Sequence, residues 1–594
     1  MKEFLKMTGA VLTGLFLWGI IQGFFLFLMF AMMIASVGKS DSKETVGVED
    51  NSVLRINLCD AIDDRSYTDY SSIYSSFSLD NVQRLGLNDI SRCIYSAASD
   101  SKIKGLCVNC SNYNIADIAT ADALRNMIVK FKQMSGKPVY AFSNGFDNLD
   151  YYVATACDSI FMRTFGDFGL NGLCSQSMFY KNALDKFGIE AQVIRHGKFK
   201  AAVEPYLQDK MSEANRLQIT AYITDIWNVV ANSVEKERNI PMDKIDKFVN
   251  SLDLLGNDQL CVEEGFLDGV ILESDFDDKI VAAMGSENED GKPKYITVSK
   301  YVKALNDNDS DGSNSVAVLY AGGEIVEESN GEQCITSKDL VGEIEKVMKD
   351  DDVKAVVLRV NSPGGSAVEA EIIYQTLLKL HEEKPLVVSM GGYAASGGYY
   401  ISSCADKIYA EPNTITGSIG VFGLLLCPHK LLTNTLGVNV ETVKTHNMSD
   451  LNSAMEPKTA AQLAVLQREV ERVYDVFLQH VADGRGMTTA QVDSIAQGRV
   501  WTGTSAIKIG LVDELGGLED AINYAAELAK IEDGYKVKEF PEEEDEGFMQ
   551  IFSQLSGEAA KAIMGEEIYA QRQFVNSFKA RTGVQALAVK TNIQ

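Results

Sequence analysis

One serine of this chain stands in a setting that suits nucleophilic chemistry. Ser396 lies within the stretch VSMGGYAASGGYYISSC, residues 388–404, with glycines on both sides. An apolar run leads into the stretch and apolar residues resume after it, which predicts a strand, a tight turn and the start of a helix. Because free N–H groups at a helix N-terminus stabilise a developing oxyanion, Ser396 is a candidate nucleophile and the N–H of Gly397 a candidate oxyanion donor. A packing turn rich in glycine and alanine is the alternative at this point.

Such a serine needs a base, because a hydroxyl alone is a weak nucleophile. The sequence identifies this base less directly than it identifies the serine. None of the five histidines lies in a recognisable triad motif: His196, His381, His429, His446 and His480. Lysine is the other candidate, provided that burial lowers its pKa from about 10.4 by roughly 3 units. Lys200 has the apolar neighbours Phe199 and Ala201 to Val203, which favours it as the base, and Lys198 is its competitor.

Two further glycine-rich runs supply candidate residues. The run NSPGG, 361–365, follows a predicted strand, and the N–H groups of Gly364 and Gly365 are candidate oxyanion donors. In the run TGSIGVFG, 416–423, Ser418 is a candidate to hold the lysine amine towards the serine, with a structural turn as the alternative. Neither run has the spacing of a phosphate-binding loop. The A-x-S-x-G pattern at the serine loosely matches the nucleophile elbow of α/β-hydrolases, a fold that needs a later acid and histidine in the same domain.

The elements that position these residues come from an internal duplication. The chain divides at the polar, acidic run NDNDSDGSN, 306–314, and the two halves then repeat each other in order and at nearly constant spacing. The matched segments are 103–108 with 353–358, 136–139 with 383–386, 151–153 with 399–401, 203–205 with 455–457, and 265–268 with 510–513. Each half alternates β-branched runs with helical patterns, which predicts an α/β fold with mostly parallel strands. Long amphipathic helices are predicted at 212–237 and 460–481, to pack within a domain or against a neighbour.

The two halves differ at the residues that carry the chemistry. The second half holds Ser396 and the glycine turn 363–365, whereas the first half has DNLD, 147–150, in place of the serine turn. Conversely, Lys200 lies five residues before a proline whose counterpart in the second half is preceded, at the same distance, by Asn452. Complementary loss of this kind predicts one composite site that takes its serine from the second half and its lysine from the first. Ordinary drift is the alternative.

The N-terminal region predicts a membrane anchor. Residues 7–38 contain no charged side chain, and a membrane-spanning helix needs about 20 apolar residues. A cleaved signal peptide is the alternative, although its apolar region is typically only about 7–15 residues long. Lysines flank the run on both sides, so the charges do not decide its orientation.

Composition excludes some classes of function. A formal net charge of −28 argues against a nucleic-acid-binding protein, which needs a basic face. The ten cysteines, among them the pair Cys107 and Cys110, show no zinc-finger spacing and are interpreted as buried free thiols. No metal and no organic cofactor is indicated.

Taken together, these motifs resemble the signal peptide peptidase A family, also called protease IV, in its long, duplicated bacterial type. The resemblance runs from the N-terminal anchor to about Gly517 and rests on the segments 200–205, 361–365, 389–399, 416–420, 498–503 and 510–513. It implies a tandem duplication of a crotonase/Clp-protease-like α/β domain, preceded by one N-terminal transmembrane helix. It further implies a serine endopeptidase with a Ser-Lys dyad, in which Ser396 is the nucleophile, Lys200 the base and Ser418 the residue that orients the lysine. The turn at Gly364 and Gly365 would help to form the oxyanion hole.

The resemblance also implies a setting for the enzyme. Members of this family sit in the inner membrane with the catalytic part on the periplasmic side, and they degrade cleaved signal peptides and similar apolar peptides as a bowl-shaped homotetramer. The expected partners are therefore such peptides, membrane lipid around the N-terminal helix, and further copies of the chain, with no nucleic acid. A crotonase-like acyl-CoA lyase or hydratase and a non-catalytic membrane scaffold are the alternatives. Neither requires a serine and a lysine divided between two repeats.

The sequence predicts the following division of the chain. A cytoplasmic end covers 1–6, a transmembrane anchor 7–38, a linker 39–50, an N-terminal repeat with the lysine 51–303, an acidic linker 304–314, a C-terminal repeat with the serine 315–540, and a tail 541–594. The tail begins with an acidic run, 542–546, and is expected to be disordered or to serve assembly.

Overall fold

The structure, a computed structural model, describes residues 47–58, 62–69, 82–111, 117–306, 314–329, 333–531, 534–542 and 583–587. The cytoplasmic end and the anchor predicted at 1–6 and 7–38 lie outside the described residues, as does most of the predicted tail. Within the described ranges, no helix combines the length and the apolar character that a membrane crossing needs.

The first half is built on a six-stranded parallel sheet in the order β8-β6-β5-β4-β1-β9. Strands β2 and β3 form a separate antiparallel ribbon, and β7 joins another sheet. The strands of this half are β1 (Ser52–Asn57), β2 (Tyr67–Asp69), β3 (Val82–Arg84), β4 (Ile103–Asn109), β5 (Val139–Ser143), β6 (Ser159–Met162), β7 (Glu190–His196), β8 (Gly269–Val270) and β9 (Tyr295–Thr297).

Helices cover both faces of this sheet. Neighbouring residues of β1 point to opposite faces, so that Val53 packs with Phe276 and Ile280 on one side, while Leu54 belongs to a larger cluster on the other. The helices are α1 (Leu87–Ser99), α2 (Ile118–Ser135), α3 (Asn148–Ala154), α4 (Lys181–Phe187), α5 (Glu204–Leu207), α6 (Glu213–Arg238), α7 (Met242–Ser251), α8 (Asp258–Glu263), α9 (Glu273–Met284) and α10 (Val298–Asn306). The helix predicted at 212–237 is α6, which begins after the capping side chain of Ser212.

The second half repeats this plan on a larger, mostly parallel sheet in the order β19-β17-β15-β13-β10-β21. Strand β16 pairs with β15 and with β20, and only the pair β17 and β19 is antiparallel within this described sheet. The strands are β10 (Ser315–Gly322), β11 (Glu324–Ile325), β12 (Cys334–Ile335), β13 (Val353–Ser362), β14 (Gly364–Ser366), β15 (Leu386–Ala395), β16 (Lys407–Ala410), β17 (Ile415–Gly417), β18 (Val421–Cys427), β19 (Val500–Thr502), β20 (Glu514–Leu515), β21 (Lys536–Phe540) and β22 (Gly583–Leu587).

The helices of the second half pack on both faces of its sheet. They are α11 (Ser337–Lys349), α12 (Ala367–Glu383), α13 (Gly397–Ser402), α14 (Ala460–Arg485), α15 (Thr489–Ile495), α16 (Gly503–Ala506) and α17 (Leu518–Leu528). The helix predicted at 460–481 is α14, which extends one turn further and ends at Gly486 in the left-handed conformation. Ala521 and Ile522 of α17 cover one face of the central strands, while α12 and α14 contribute to the cluster on the other.

A third sheet joins the two halves. Its order is β12-β11-β14-β22-β18-β7, and it brings β7 of the first half against β18 of the second in an antiparallel pair from His196 opposite Val421 to Glu190 opposite Cys427. The two repeats therefore share a sheet, in addition to the one that each repeat builds for itself.

The duplication is visible in matching polar contacts. Lys137 donates to the carbonyl oxygens of Ala97 and Asp100, and Lys384 donates in the same way to those of Val347 and Asp350. Asp268 accepts from the backbone N–H of Ile160 at 2.7 Å, and Asp513 accepts from that of Ile408 at 2.8 Å. The pairs that the sequence match predicted thus hold the same places in the two α/β units.

Candidate active site

Ser396 sits at a sharp backbone turn between β15 and α13. Its φ of 57° and ψ of −115° are sparsely populated for a residue with a side chain, and such strain persists only where the surroundings hold it. Two backbone hydrogen bonds do so: Ser396 N donates to Gly417 O at 2.8 Å, and Tyr400 N donates to Ser396 O at 2.8 Å. The side chain does not cap α13.

Lys200 reaches this serine from the first half. Its amine Nζ lies 2.7 Å from Ser396 Oγ, 196 residues further along the chain. It also donates to Ser418, at 2.9 Å to the carbonyl oxygen and at 3.1 Å to Oγ. The structure therefore brings together the three residues that the sequence predicted as nucleophile, base and lysine-orienting group.

Three oxygens surround the amine of Lys200, a number that matches either protonation state, and burial decides between the two. A charged ammonium donates three hydrogen bonds, whereas a neutral amine donates two and keeps one lone pair. If the two N–H groups donate to Ser418, the lone pair faces the hydroxyl of Ser396. The side chain of Lys200 is fully buried, and this burial lowers its pKa well below the usual 10.5 of a lysine.

Glycines make the space that Lys200 occupies. Gly498 has a φ of +77°, and a Cβ placed on it would come within 2.6 Å of the backbone N and of Cβ of Lys200. A Cβ on Gly420 would lie 3.3 Å from Lys200 Cδ. Arg499, the next residue, accepts from the backbone N–H of Ser418 at 2.7 Å. The segment 498–499 therefore fixes both the lysine and the residue that holds its amine.

The competing bases lie elsewhere. Strand β7 ends at His196, before both lysines. The side chain of Lys198 is exposed, with its amine over the ring of Phe199, whereas that of Lys200 is buried. Each of the five histidines has a different partner: His196 contacts Glu471, His381 contacts Asp406, His429 contacts the carbonyl of Met455, His446 contacts Thr445, and His480 contacts Glu371.

The glycines predicted as oxyanion donors lie beside the serine turn. Gly397 is the first residue of α13, where backbone N–H groups have no partner within the helix. Gly364, with a φ of 96°, and Gly365 form β14, which contacts α13. The N–H of Gly364 donates to Ser362 Oγ at 3.2 Å, and Gly365 is paired with Ile325 of β11 and with Ala586 of β22.

A short segment near the C-terminus runs next to this turn. Strand β22 pairs antiparallel with β14, with Leu587 opposite Gly364 and Ala586 opposite Gly365. On its other side it pairs antiparallel with β18. The sequence does not predict this strand, because the tail carries no strong strand pattern and the strand's partners lie about 160 to 220 residues earlier in the chain.

Comparison with known proteins decides the family. The model of peptidase family S49 matches twice, at residues 131–280 and 379–532, and the Clp protease model matches residues 313–416. Protease 4 of Haemophilus influenzae is 33% identical over 96% of this chain and 93% of its own. Protease 4 of Salmonella typhi is 32% identical over 83% of this chain and 79% of its own, and the chloroplastic serine protease SPPA of Arabidopsis thaliana is 29% identical over 75% and 66%.

The chain belongs to peptidase family S49. It is a serine-type endopeptidase of the protease IV type with two S49 repeats in a Clp-protease-like α/β fold. The two matched ranges fall in the two halves that the internal duplication predicted.

In the first S49 repeat, the residue that corresponds to Ser396 is Asn148, and its side chain forms structural hydrogen bonds. Asn148 stands three residues before Tyr151, as Ser396 stands three before Tyr399. The amide of Asn148 donates to Asn171 Oδ1 and accepts from the backbone N–H groups of Asn171 and Gly172. Asn148 therefore connects its turn to the loop at Asn171 and Gly172, whereas Ser396 at the matching position provides a hydroxyl.

Sequence reasoning missed the lysine cradle of this S49 site. In the sequence Gly498 stands out only as part of the family motif 498–503, because its positive φ and its close contact with Lys200 are visible only in three dimensions.

In the part of the chain that the structure describes, no group of three or more metal-ligating side chains is present. Nine cysteines of the described residues are free thiols, seven of them buried, among them Cys107 and Cys110 as predicted.

Proposed function

We propose that Ser396 and Lys200 form the catalytic dyad of a membrane-anchored endopeptidase that degrades cleaved signal peptides and similar apolar peptides. The contact of 2.7 Å between Lys200 Nζ and Ser396 Oγ carries this proposal, because it joins a buried amine of lowered pKa to a hydroxyl on a strained turn. Ser418 orients the amine through its carbonyl oxygen and its hydroxyl.

The reaction follows from these positions. The neutral amine of Lys200 takes the proton of Ser396 Oγ as this oxygen attacks the peptide carbonyl carbon, and the carbonyl oxygen gains the negative charge. The N–H groups of Gly364, Gly365 and Gly397 are the proposed donors to this oxygen. Lys200 then gives its proton to the leaving amine of the peptide. In the second step Lys200 takes a proton from water, which attacks the acyl group and frees Ser396.

The substrate peptide is proposed to bind as an added strand. Strand β22 pairs antiparallel with β14 on one side and with β18 on the other, which marks a slot for an extended chain beside Gly364 and Gly365. Main-chain pairing of this kind accepts many sequences. A relative from Enterococcus faecium, 38% identical over 197 residues, is named a putative signal peptide peptidase, which supports apolar signal peptides as the substrate class.

The enzyme is proposed to act at the inner membrane, on its periplasmic side, as a homotetramer. The charge-free run 7–38 supports the anchor. Assembly is supported by a region in which α4 (Lys181–Phe187) and the helical turn Leu431–Thr435 have no buried residue in the single chain. Large apolar side chains are exposed there: Met178, Phe187, Leu436 and Val443.

The test is hydrolysis of an apolar, signal-peptide-like reporter by the full chain in detergent micelles. We expect Ser396→Ala and Lys200→Met to lower kcat by about 1,000-fold or more, as removal of a nucleophile or its base does. Lys198→Met is the matched control, because this lysine is exposed two residues away, and it should keep kcat within about twofold of the parent. An active Lys200→Met variant would show that the base is another group. Failure of a fluorophosphonate to label Ser396 in the parent would favour a lyase or a scaffold.

A further inference from the structure

The strand that carries the nucleophilic serine is bulged shortly before it. Strands β13 and β15 pair in parallel register as far as Val360 opposite Met390, and the next pair is Ser362 opposite Ala394. Two residues of β13 thus span four residues of β15, and the extra ones are accommodated at Gly391–Gly392. Since both strands lead directly into the site, this bulge sets the distance between the serine turn and the glycine turn.

Asn361 fills the bulge from the side of β13. Its Oδ1 accepts from the backbone N–H of Tyr393 at 3.1 Å. Its side chain lies so close to Gly391 that a Cβ there would come within 3.0 Å of Asn361 Cγ. The amide of Asn361 therefore replaces the strand-to-strand hydrogen bonding that the bulge interrupts.

A carboxylate from the first half holds this amide in place. Asp64 Oδ2 accepts from Asn361 Nδ2 at 3.1 Å. Its other oxygen, Oδ1, accepts from Arg359 at 2.8 Å from Nε and at 2.6 Å from Nη2. One side chain therefore binds two alternate residues of β13, immediately before the glycine turn.

Arg359, which is bound to Asp64, also forms hydrogen bonds with the strand that leads to the serine, β15. Its Nη1 donates to Ser389 Oγ at 2.9 Å and to the carbonyl oxygen of Met390 at 3.0 Å, the last residues of β15 before the bulge. The guanidinium is buried at 4% side-chain exposure, so a charged partner is required. A second carboxylate of the first half, Asp117, packs against the bulge so closely that a Cβ on Gly392 would lie 2.4 Å from its Cγ.

We propose that Asp64 is a positioning residue for the peptidase reaction, because it fixes the bulge that places Ser396 relative to the glycine turn of the oxyanion hole. The inference rests on the proposed function of Ser396. It means that the first half supplies the support of the nucleophile as well as the base. Misplacement of reacting groups by about 1 Å costs on the order of 100-fold in rate, so loosening the bulge should act on kcat.

The first experiment compares Asp64→Asn with Asp268→Asn in the full chain. Asp268 is a matched control, because it also pairs with a largely buried arginine, Arg238, at 3.0 Å, but lies in the first repeat outside the site. We expect Asp64→Asn to lower kcat by about 10- to 100-fold with KM within about twofold of the parent. Asp268→Asn should lower the melting temperature and leave kcat unchanged. Equal kcat in Asp64→Asn and the parent, or an equal loss in both variants, would overturn the proposal.

A tetrahedral adduct separates positioning from general loss of structure. A peptide aldehyde adds to Ser396 Oγ and places its oxygen among the oxyanion donors, whereas the matching peptide alcohol binds without forming this bond. We expect Asp64→Asn to weaken the aldehyde by about the same factor as kcat/KM and to leave the alcohol unchanged. Equal effects on both inhibitors would contradict the positioning role.

A second variant covers the case in which Asp64→Asn does not fold. Asn361→Ala breaks the link from Asp64 to Tyr393 without leaving the charge of Arg359 unpaired, and it should lower kcat by a similar factor. An unchanged kcat in this variant would also overturn the inference. A parent enzyme whose hydrolysis does not depend on Ser396 would instead refute the proposed function, so the two failures are distinguishable.

Discussion

At the scale of single residues, Lys200 shows what burial does to a base. The side chain is enclosed between the two halves, and the cost of keeping a charge there lowers its pKa well below 10.5. The nearest groups are neutral oxygens of Ser396 and Ser418 rather than carboxylates, so no counter-charge in its hydrogen-bond shell raises the pKa again. An amine in this setting is neutral at a pH where an exposed lysine is charged.

The first prediction at this scale concerns pH. Because only the neutral amine accepts a proton, kcat/KM should rise with pH as Lys200 loses its proton and should level off well below pH 10.5. A pH profile of reporter hydrolysis measures this. Ser418→Ala, which removes one hydrogen bond to the amine, should lower the rate on the plateau by about tenfold and keep the rising limb. A rate that keeps climbing to the pKa of an exposed lysine would contradict the assignment.

A second prediction concerns the cradle. Gly498→Ala places a Cβ within 2.6 Å of Lys200 and should therefore displace the amine and lower kcat by at least about 100-fold. Gly486→Ala is the control, because Gly486 has a comparable φ of +62° but open space around it. Both variants carry the strain of a left-handed alanine, about 1–2 kcal/mol, and Gly498→Ala adds the clash with Lys200, so kcat is compared per folded enzyme. Comparable kcat in the two variants would show that Lys200 does not need this glycine.

At the scale of elements, the sequence predicted most of what lies within one repeat. The long helices expected at 212–237 and 460–481 are present as α6 and α14, since their apolar periodicity is strong. Comparing the halves also predicted that Ser396 and Lys200 meet. The bulge before the serine and the contact of Asp64 were not foreseeable, because Asp64 and Arg359 are 295 residues apart and neither lies in a motif.

At the scale of the whole molecule, the third sheet decides how the parts depend on each other. Strand β7 leads to Lys200 and is paired along its whole length with β18, which begins three residues after Ser418. Strand β22 completes the same sheet between β18 and β14. The end of the chain thus occupies the slot proposed for the substrate.

This arrangement predicts that the C-terminal strand competes with substrate. Removal of residues 583–594 should lower KM for a peptide reporter by several-fold and leave kcat nearly unchanged, because the slot no longer has to be vacated. A truncation after 587, which keeps β22, is the matched control and should behave as the parent. If removal of the strand instead abolishes hydrolysis while the melting temperature is kept, β22 is part of the working sheet and the slot for substrate lies elsewhere.

Because the site is assembled from both halves, it forms only late in the synthesis of the chain. A growing chain makes the lysine first, the serine about 200 residues later, and the glycine that admits the lysine about 100 residues after that. Until residue 498 has emerged and folded back onto the first half, the nascent polypeptide has a hydroxyl without a base. A peptidase made in this order becomes active only after residue 498 has been made, so it cannot cleave other chains, or its own first half, before then.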